Sequence, residues 1–202
     1  MTRQKIDEQR KQQIRAAATR CFVRRGYAPT RLLDIAREAG LSKGGVYFHY
    51  RAKEQLFHDI LDAQLATLQE RWAAELPADA PADLPADRLL QQVALAHLRT
   101  FVEHPDEARL CNLLVTMSGQ EQEFREKLER TFSEMRAKYA EVVRRGVEQG
   151  VLVGDPQVVA RGIVGVVYGL AAQAAIDPNG RLPVSVEQAV ELIIRLAGGR
   201  PA

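Results

Sequence analysis

The sequence predicts an all-α protein in two parts: an N-terminal three-helix head with a helix-turn-helix over residues 1–52, and a C-terminal helical bundle over 53–202. Apolar residues recur at helical spacing through nearly the whole chain, and no segment alternates as a strand would. Glycine, proline, aspartate and serine fall where helix ends belong. Charge divides the chain the same way. Residues 1–60 hold 13 Lys or Arg against 6 Asp or Glu, a net +7, and the rest holds 15 against 20, a net −5. A basic head on an acidic body is the footprint of a protein whose head meets nucleic acid.

From Ile6 to Arg25, the spacing of Ile14, Ala17, Ala18, Cys21 and Phe22 puts one apolar face on a first helix, and the residues before Ile6 read as a loose arm. Two short helices follow within Thr30 to Lys53. Leu32, Ile35 and Ala36 form the apolar face of the first, Gly40 is a left-handed stop, and Leu41 fills the corner. Ser42 is the N-cap of the second, Lys43 to His49, which is too short to persist alone in water.

That second helix has the composition of a reader. Lys43 brings positive charge, and Gly44 and Gly45 remove bulk so that a backbone can approach closely. Each glycine costs roughly 1 kcal/mol of helix propensity relative to alanine. Tyr47, His49 and Tyr50 offer groups for phosphate oxygens or base edges, and Val46 and Phe48 are expected to face inward.

The wider pattern resembles the TetR family of transcriptional regulators. It rests on Gly26–Tyr27 closing the first helix, Thr30 opening the second, and Phe48, His49, Tyr50, then Lys53–Glu54 leading into the fourth. The resemblance covers about the first quarter of the chain. It implies DNA contacts from Thr30, Arg31, Ser42, Lys43, Gly44, Gly45, Tyr47, His49, Tyr50 and Lys53. Arg31, Gly45 and Ala52 depart from the family's usual residues. Ala52 is a poor N-cap, so the fourth helix must find its capping partner elsewhere or fray.

Lys53 opens a helix to about Leu76, with Leu56, Phe57, Ile60, Leu61, Leu65, Leu68 and Trp72 on its stripe. Pro77 to Asp87 repeats Pro-Ala-Asp three times and reads as a surface spacer. Further helices are expected over Arg88 to Glu103, from an Asp106 cap to Met117, Glu121 to Gln149, Asp155 to Ile176, and Ser185 to about Gly198. Trp72, His97, Phe101, Leu114, Met117, Phe132, Tyr139, Tyr168 and Gln173 fall where they could line a mostly apolar cavity. The resemblance implies that such a cavity takes a small effector, expected here to be hydrophobic, which changes the spacing of two heads.

It also implies a homodimer formed through the last two helices. Gly162, Gly165 and Gly169 would permit close approach, and Val190, Ile193 and Ile194 would supply apolar contact. A dimer reads half-sites one helical turn apart, about 34–36 Å, so its double-stranded operator should be palindromic. The expected function is a ligand-released repressor. An activator, or a ligand-binding dimer with little DNA affinity, is the alternative.

No nucleophile elbow, phosphate loop, dinucleotide fingerprint or H-E-x-x-H sequence occurs, so an enzyme, a metal and a cofactor are not expected. Cys21 and Cys111 stand apart as expected core residues in a reducing compartment. The N-terminus is charged from Arg3, and no apolar run is expected to reach membrane-spanning length, which points to the cytoplasm without a membrane partner.

Overall fold

The computed structural model describes residues 3–75, 84–119 and 121–199. Among them are nine helices and no strand: α1 Arg3–Arg25, α2 Leu32–Glu38, α3 Lys43–His49, α4 Lys53–Glu75, α5 Ala86–Glu103, α6 Pro105–Ser118, α7 Gln122–Glu148, α8 Pro156–Ile176 and α9 Val186–Leu196. The chain forms two compact units, residues 1–67 and 68–202, so α4 contributes to both.

In the first unit, Ile14, Ala17, Ala18, Cys21 and Phe22 of α1 are buried together with Leu32, Ile35 and Ala36 of α2 and Val46 of α3. Leu56, Phe57, Ile60 and Leu61 of α4 are buried as well. Phe22, Tyr27 and Phe57 form a three-ring cluster with centroids 5.1–5.4 Å apart, in tilted and edge-on geometries that favour aromatic pairs. The glycine–aromatic pair after α1 therefore closes the head around Tyr27. Residues 3–5, expected as a loose arm, are helical and extend α1.

In the second unit, α7 packs along α8 and α6, and α5 packs on α9 and α7. The core gathers Leu90, Val93, Leu98, Tyr139, Val143, Ile163, Val167 and Ile193. α8 holds an 18-residue window of mean hydropathy 1.6, long and apolar enough by composition to cross a membrane. This corrects the expectation that no apolar run reaches spanning length. Val159, Ala160, Ile163, Val164, Val167, Leu170, Ala171 and Ala174 of this helix are buried inside the bundle, while Val158 and Ile176 are exposed.

Helix ends follow local chemistry. Asp155 accepts from the backbone N–H groups of Gln157 and Val158, with Pro156 in the first turn of α8. Ser185 and Gln188 cap α9 reciprocally. α5 begins two residues earlier than expected, at Ala86. α6 begins at Pro105, so Asp106 lies inside its first turn and pairs with Arg109 at 3.1 Å rather than capping it. Cys21 is buried as expected, whereas Cys111 is only half-buried against the bundle core. Residues 77–83 of the Pro-Ala-Asp tract and the side chain of Trp72 lie outside the described residues.

Candidate functional site

The turn between α2 and α3 is built from two local devices. Gly40 adopts φ +65°, a conformation that disfavours a Cβ, and the N–H groups of Gly40 and Leu41 return to the carbonyls of Arg37 and Ala36. Ser42 Oγ then accepts from the Gly45 N–H at 3.1 Å and starts α3. Both were legible in the sequence.

α3 buries Val46 whole and leaves the His49 side chain only 8 % exposed. Its exposed face carries Lys43, Gly44, Tyr47 and Phe48, with Arg51 exposed just beyond the helix. Tyr47 is 42 % exposed, and Lys43 Nζ lies 5.3 Å from its ring centroid. Phe48, expected to face inward, is 79 % exposed. Two residues on from Val46 is about 200° round an α-helix, so Phe48 points away from the side that Val46 buries, and the inward place next to it is taken by His49.

The two glycines have no internal packing reason. A Cβ on Gly44 would meet nothing nearer than Ser42 Oγ at 4.0 Å, and one on Gly45 would make only ordinary contacts at 3.4 and 3.9 Å. Alanine would fit at both positions and favour the helix by roughly 1 kcal/mol each.

Other residues expected at the DNA are committed within the head. Thr30 is buried, and its hydroxyl donates to the Gly26 carbonyl at 2.7 Å. Tyr50 is buried and donates to Asp59 of α4. Burial, then that hydrogen bond, push its phenol well above the ordinary value. His49 turns its ring inward, with Nδ1 3.3 Å from the Asp7 carboxylate of α1. Lys53 donates to the carbonyls of Tyr27 and Ala28 at 3.0 and 2.9 Å, leaving one of its three N–H donors. His49 and Tyr50 tie the α3 segment to α1 and α4, while Thr30 and Lys53 fix the turn after α1. Gln55 also accepts from the Arg51 N–H at 3.1 Å, tying the residue before Ala52 to the first turn of α4.

The charges divide in the same manner. Arg15 pairs with Glu8 and Asp59, Arg20 and Arg24 with Glu38, and Arg25 with Asp34. Arg31, Lys43 and Arg51 form no ion pair with a described carboxylate. Positive charge is thus paired at these four arginines of α1 and left available at Arg31, Lys43 and Arg51 around α3.

In the body, His97, Phe101, Phe132, Tyr139 and Tyr168 form one aromatic cluster. Tyr168 meets Phe132 edge-on at 4.8 Å, and His97 neighbours Phe101, Tyr139 and Tyr168 at 5.6–6.2 Å. His97 Nδ1 lies 3.0 Å from the Tyr139 hydroxyl, and the Tyr168 hydroxyl donates to Met135 Sδ at 3.2 Å. Burial pushes His97 down to about 3 and raises both tyrosines, so the cluster is uncharged at neutral pH. Leu114 and Met117 are buried on α6. Gln173 is exposed and bonds back to the Gly169 carbonyl, so it does not join the cluster.

The residues expected between protomers sort differently. Val190, Ile193 and Ile194 are buried in the protomer's own core, which corrects their assignment to an interface. A Cβ on Gly162 would approach Leu196 of α9 to 3.0 Å, so this glycine serves packing within the chain. Gly165 and Gly169 instead face open space. Leu192 and Leu196 are the exposed apolar residues of α9, at 50 % and 44 %.

Comparison with known proteins agrees with this architecture. Residues 14–60 match the model of bacterial regulatory proteins of the tetR family, and residues 85–197 match that of the BetI-type transcriptional repressor C-terminal domain. The chain belongs to the TetR family. This TetR-family chain is 35 % identical over 65 residues to the transcriptional regulator QacR of Staphylococcus aureus, covering 32 % of this chain and 35 % of QacR. It is 25 % identical over 188 residues to the uncharacterised regulator YerO of Bacillus subtilis, covering 92 % of this chain and 62 % of YerO. These alignments therefore span roughly a third and three fifths of the two relatives' own lengths. Among solved structures, AibR in complex with isovaleryl coenzyme A and operator DNA matches with TM-score 0.74 and 21 % identity, over 94 % of this chain and 99 % of that one. A protein from Saccharomonospora viridis assigned as a transcriptional regulator, in complex with choline, matches with TM-score 0.78 and 23 % identity, over 93 % and 95 %. Both share the fold: a helix-turn-helix head and a helical C-terminal domain. The chain accordingly pairs a tetR-family head over residues 14–60 with a BetI-type C-terminal domain over residues 85–197.

Proposed function

We propose that the protein is a homodimeric repressor that binds a palindromic operator and is released by a small apolar effector. Residues 1–52 bind DNA in this reading, and 53–202 bind the effector and the second protomer. The observation that carries it is the pair Gly44–Gly45. Neither is needed for packing within the chain, yet together they lower helix propensity on the face that also presents Lys43 and Tyr47. An external surface that comes close to the backbone accounts for both, and the available charge of Arg31, Lys43 and Arg51 makes that surface a phosphate-bearing one.

Dimerisation is supported by the outward Gly165 and Gly169, four residues apart on α8, beside exposed Leu192 and Leu196 on α9. Small residues on one helix and leucines on the next let two copies pack closely about a two-fold axis. The uncharged aromatic cluster around His97 supports an apolar effector, because an ionic ligand would find no opposite charge among those rings.

Selection of bound duplexes from a random pool at physiological salt tests the reading. An inverted repeat with half-sites about 10 base pairs apart and a steep salt slope is the expected result. Lys43→Ala with Tyr47→Ala should lose most of that affinity while remaining folded. An unenriched pool, or unchanged binding by the double variant, would overturn the assigned face.

A further inference from the structure

The exposed ring of Phe48 has no role in the fold and no polar atom with which to bond a phosphate or a base edge. It lies one turn beyond Gly44 and beside Tyr47, on the face of α3 that carries Lys43. Its base is braced. The ring meets that of His49 edge-on at 5.1 Å, and His49 is held toward Asp7. A braced ring loses less conformational freedom on contact than a free one.

A duplex offers such a ring few apolar surfaces. Phosphates are charged, and base edges in the major groove are donors and acceptors, with one exception: the 5-methyl group of thymine. Resting on the proposal that α3 enters a major groove, we propose that Phe48 is a specificity-determining residue that packs on the methyl of one thymine in each half-site. Gly44, one turn earlier, permits the helix to sit deep enough for a ring four residues on to reach the groove floor.

The test uses the full chain and the duplex selected from the random pool. Each thymine in turn is replaced, in both half-sites, by deoxyuridine, which keeps the base pair and removes only the methyl. Burial of one methyl-sized group corresponds to about four-fold in affinity per half-site, or roughly sixteen-fold for the symmetric pair. The proposal expects one symmetric thymine position to show this loss. Phe48→Ala should show the same loss on the unmodified duplex and no further loss on the deoxyuridine duplex, whereas Phe48→Leu should retain part of the discrimination. Because the side chain is exposed, both variants should melt as the parent does.

Equal deoxyuridine sensitivity in the parent and Phe48→Ala would assign the methyl to another residue and overturn the proposal. So would a selected site without thymine, or a loss in Phe48→Ala with no position sensitive to the methyl. If no duplex is enriched at all, the DNA-binding reading itself fails, which is a distinct result.

Discussion

α3 and α9 are both short and rich in apolar residues, yet they use them in opposite ways. α9 buries Ala189, Val190, Ile193 and Ile194 of its 11 residues, and each large side chain contributes roughly 1.5–3 kcal/mol. α3 buries only Val46 and the side chain of His49 among its seven residues. Its support comes from outside: the Ser42 cap, Tyr50 bonded to Asp59, His49 against Asp7, and Lys53 clasping the turn after α1. A helix held by its neighbours can turn an aromatic ring outward and accept two glycines. A helix held by its own packing cannot.

Substitutions in α9 should break that contrast most forcefully. Ile193→Asp places an uncompensated charge in the core and should cost about 4 kcal/mol or more, enough to unfold the body in a urea titration. Leu192→Asp, one residue away and half exposed, should change protomer stability by no more than about 0.5 kcal/mol. In sedimentation it should convert dimers to monomers. A folded Ile193→Asp protein, or a dimeric Leu192→Asp protein, would show that the two sides of α9 have been misassigned.

The next effect separates the regions by pH. In the body, His97 titrates at about 3 when folded and near 6.5 when unfolded, so below 6.5 the unfolded chain binds the extra proton. The stability held by the neutral ring is complete above pH 6.5 and is lost as pH falls toward 3. The loss should reach about 2 kcal/mol at pH 5. Urea melts at pH 7 and 5 should reveal that loss, and His97→Gln should reduce it by a similar amount. An unchanged pH dependence in the variant would place the acid sensitivity elsewhere.

In the head, Tyr50→Phe removes the phenol that reaches Asp59 and should cost about 1–2 kcal/mol in thermal or urea melts. A variant as stable as the parent would mean that α3 does not depend on this bond.

Much of the fold was legible because local chemistry writes it. Gly40, Ser42, Asp155 and Ser185 each mark a helix end through a hydrogen bond made within a few residues, and the structure has all of them. The all-helical fold follows from periodicity in long segments such as α7. Which face turns inward was less legible in short ones. Two turns of α3 give too few repeats to tell Phe48 from His49, and the deciding partner, Asp7, lies 42 positions away in sequence. Thr30, Tyr50 and Lys53 are DNA contacts by the family resemblance, and their partners within the head, carbonyls and a carboxylate far from them in sequence or across a turn, were not legible from it. In α9, apolar residues occupy both faces, so periodicity alone could not separate Ile193 from Leu192. Gln173 stands five residues from Tyr168, about 140° round α8, which turns it outward from the cluster.

The smallest expected change tests the central claim most directly, because folding and binding should respond with opposite signs. Gly44→Ala should raise stability by up to about 1 kcal/mol, since alanine favours the helix and touches nothing in the protomer. The same methyl should weaken binding to the selected operator, measured by titration at fixed salt, because it stands where the backbone meets the duplex. A more stable protein that binds less tightly is the predicted result. A more stable protein that binds equally well or better would contradict α3 as the reading surface.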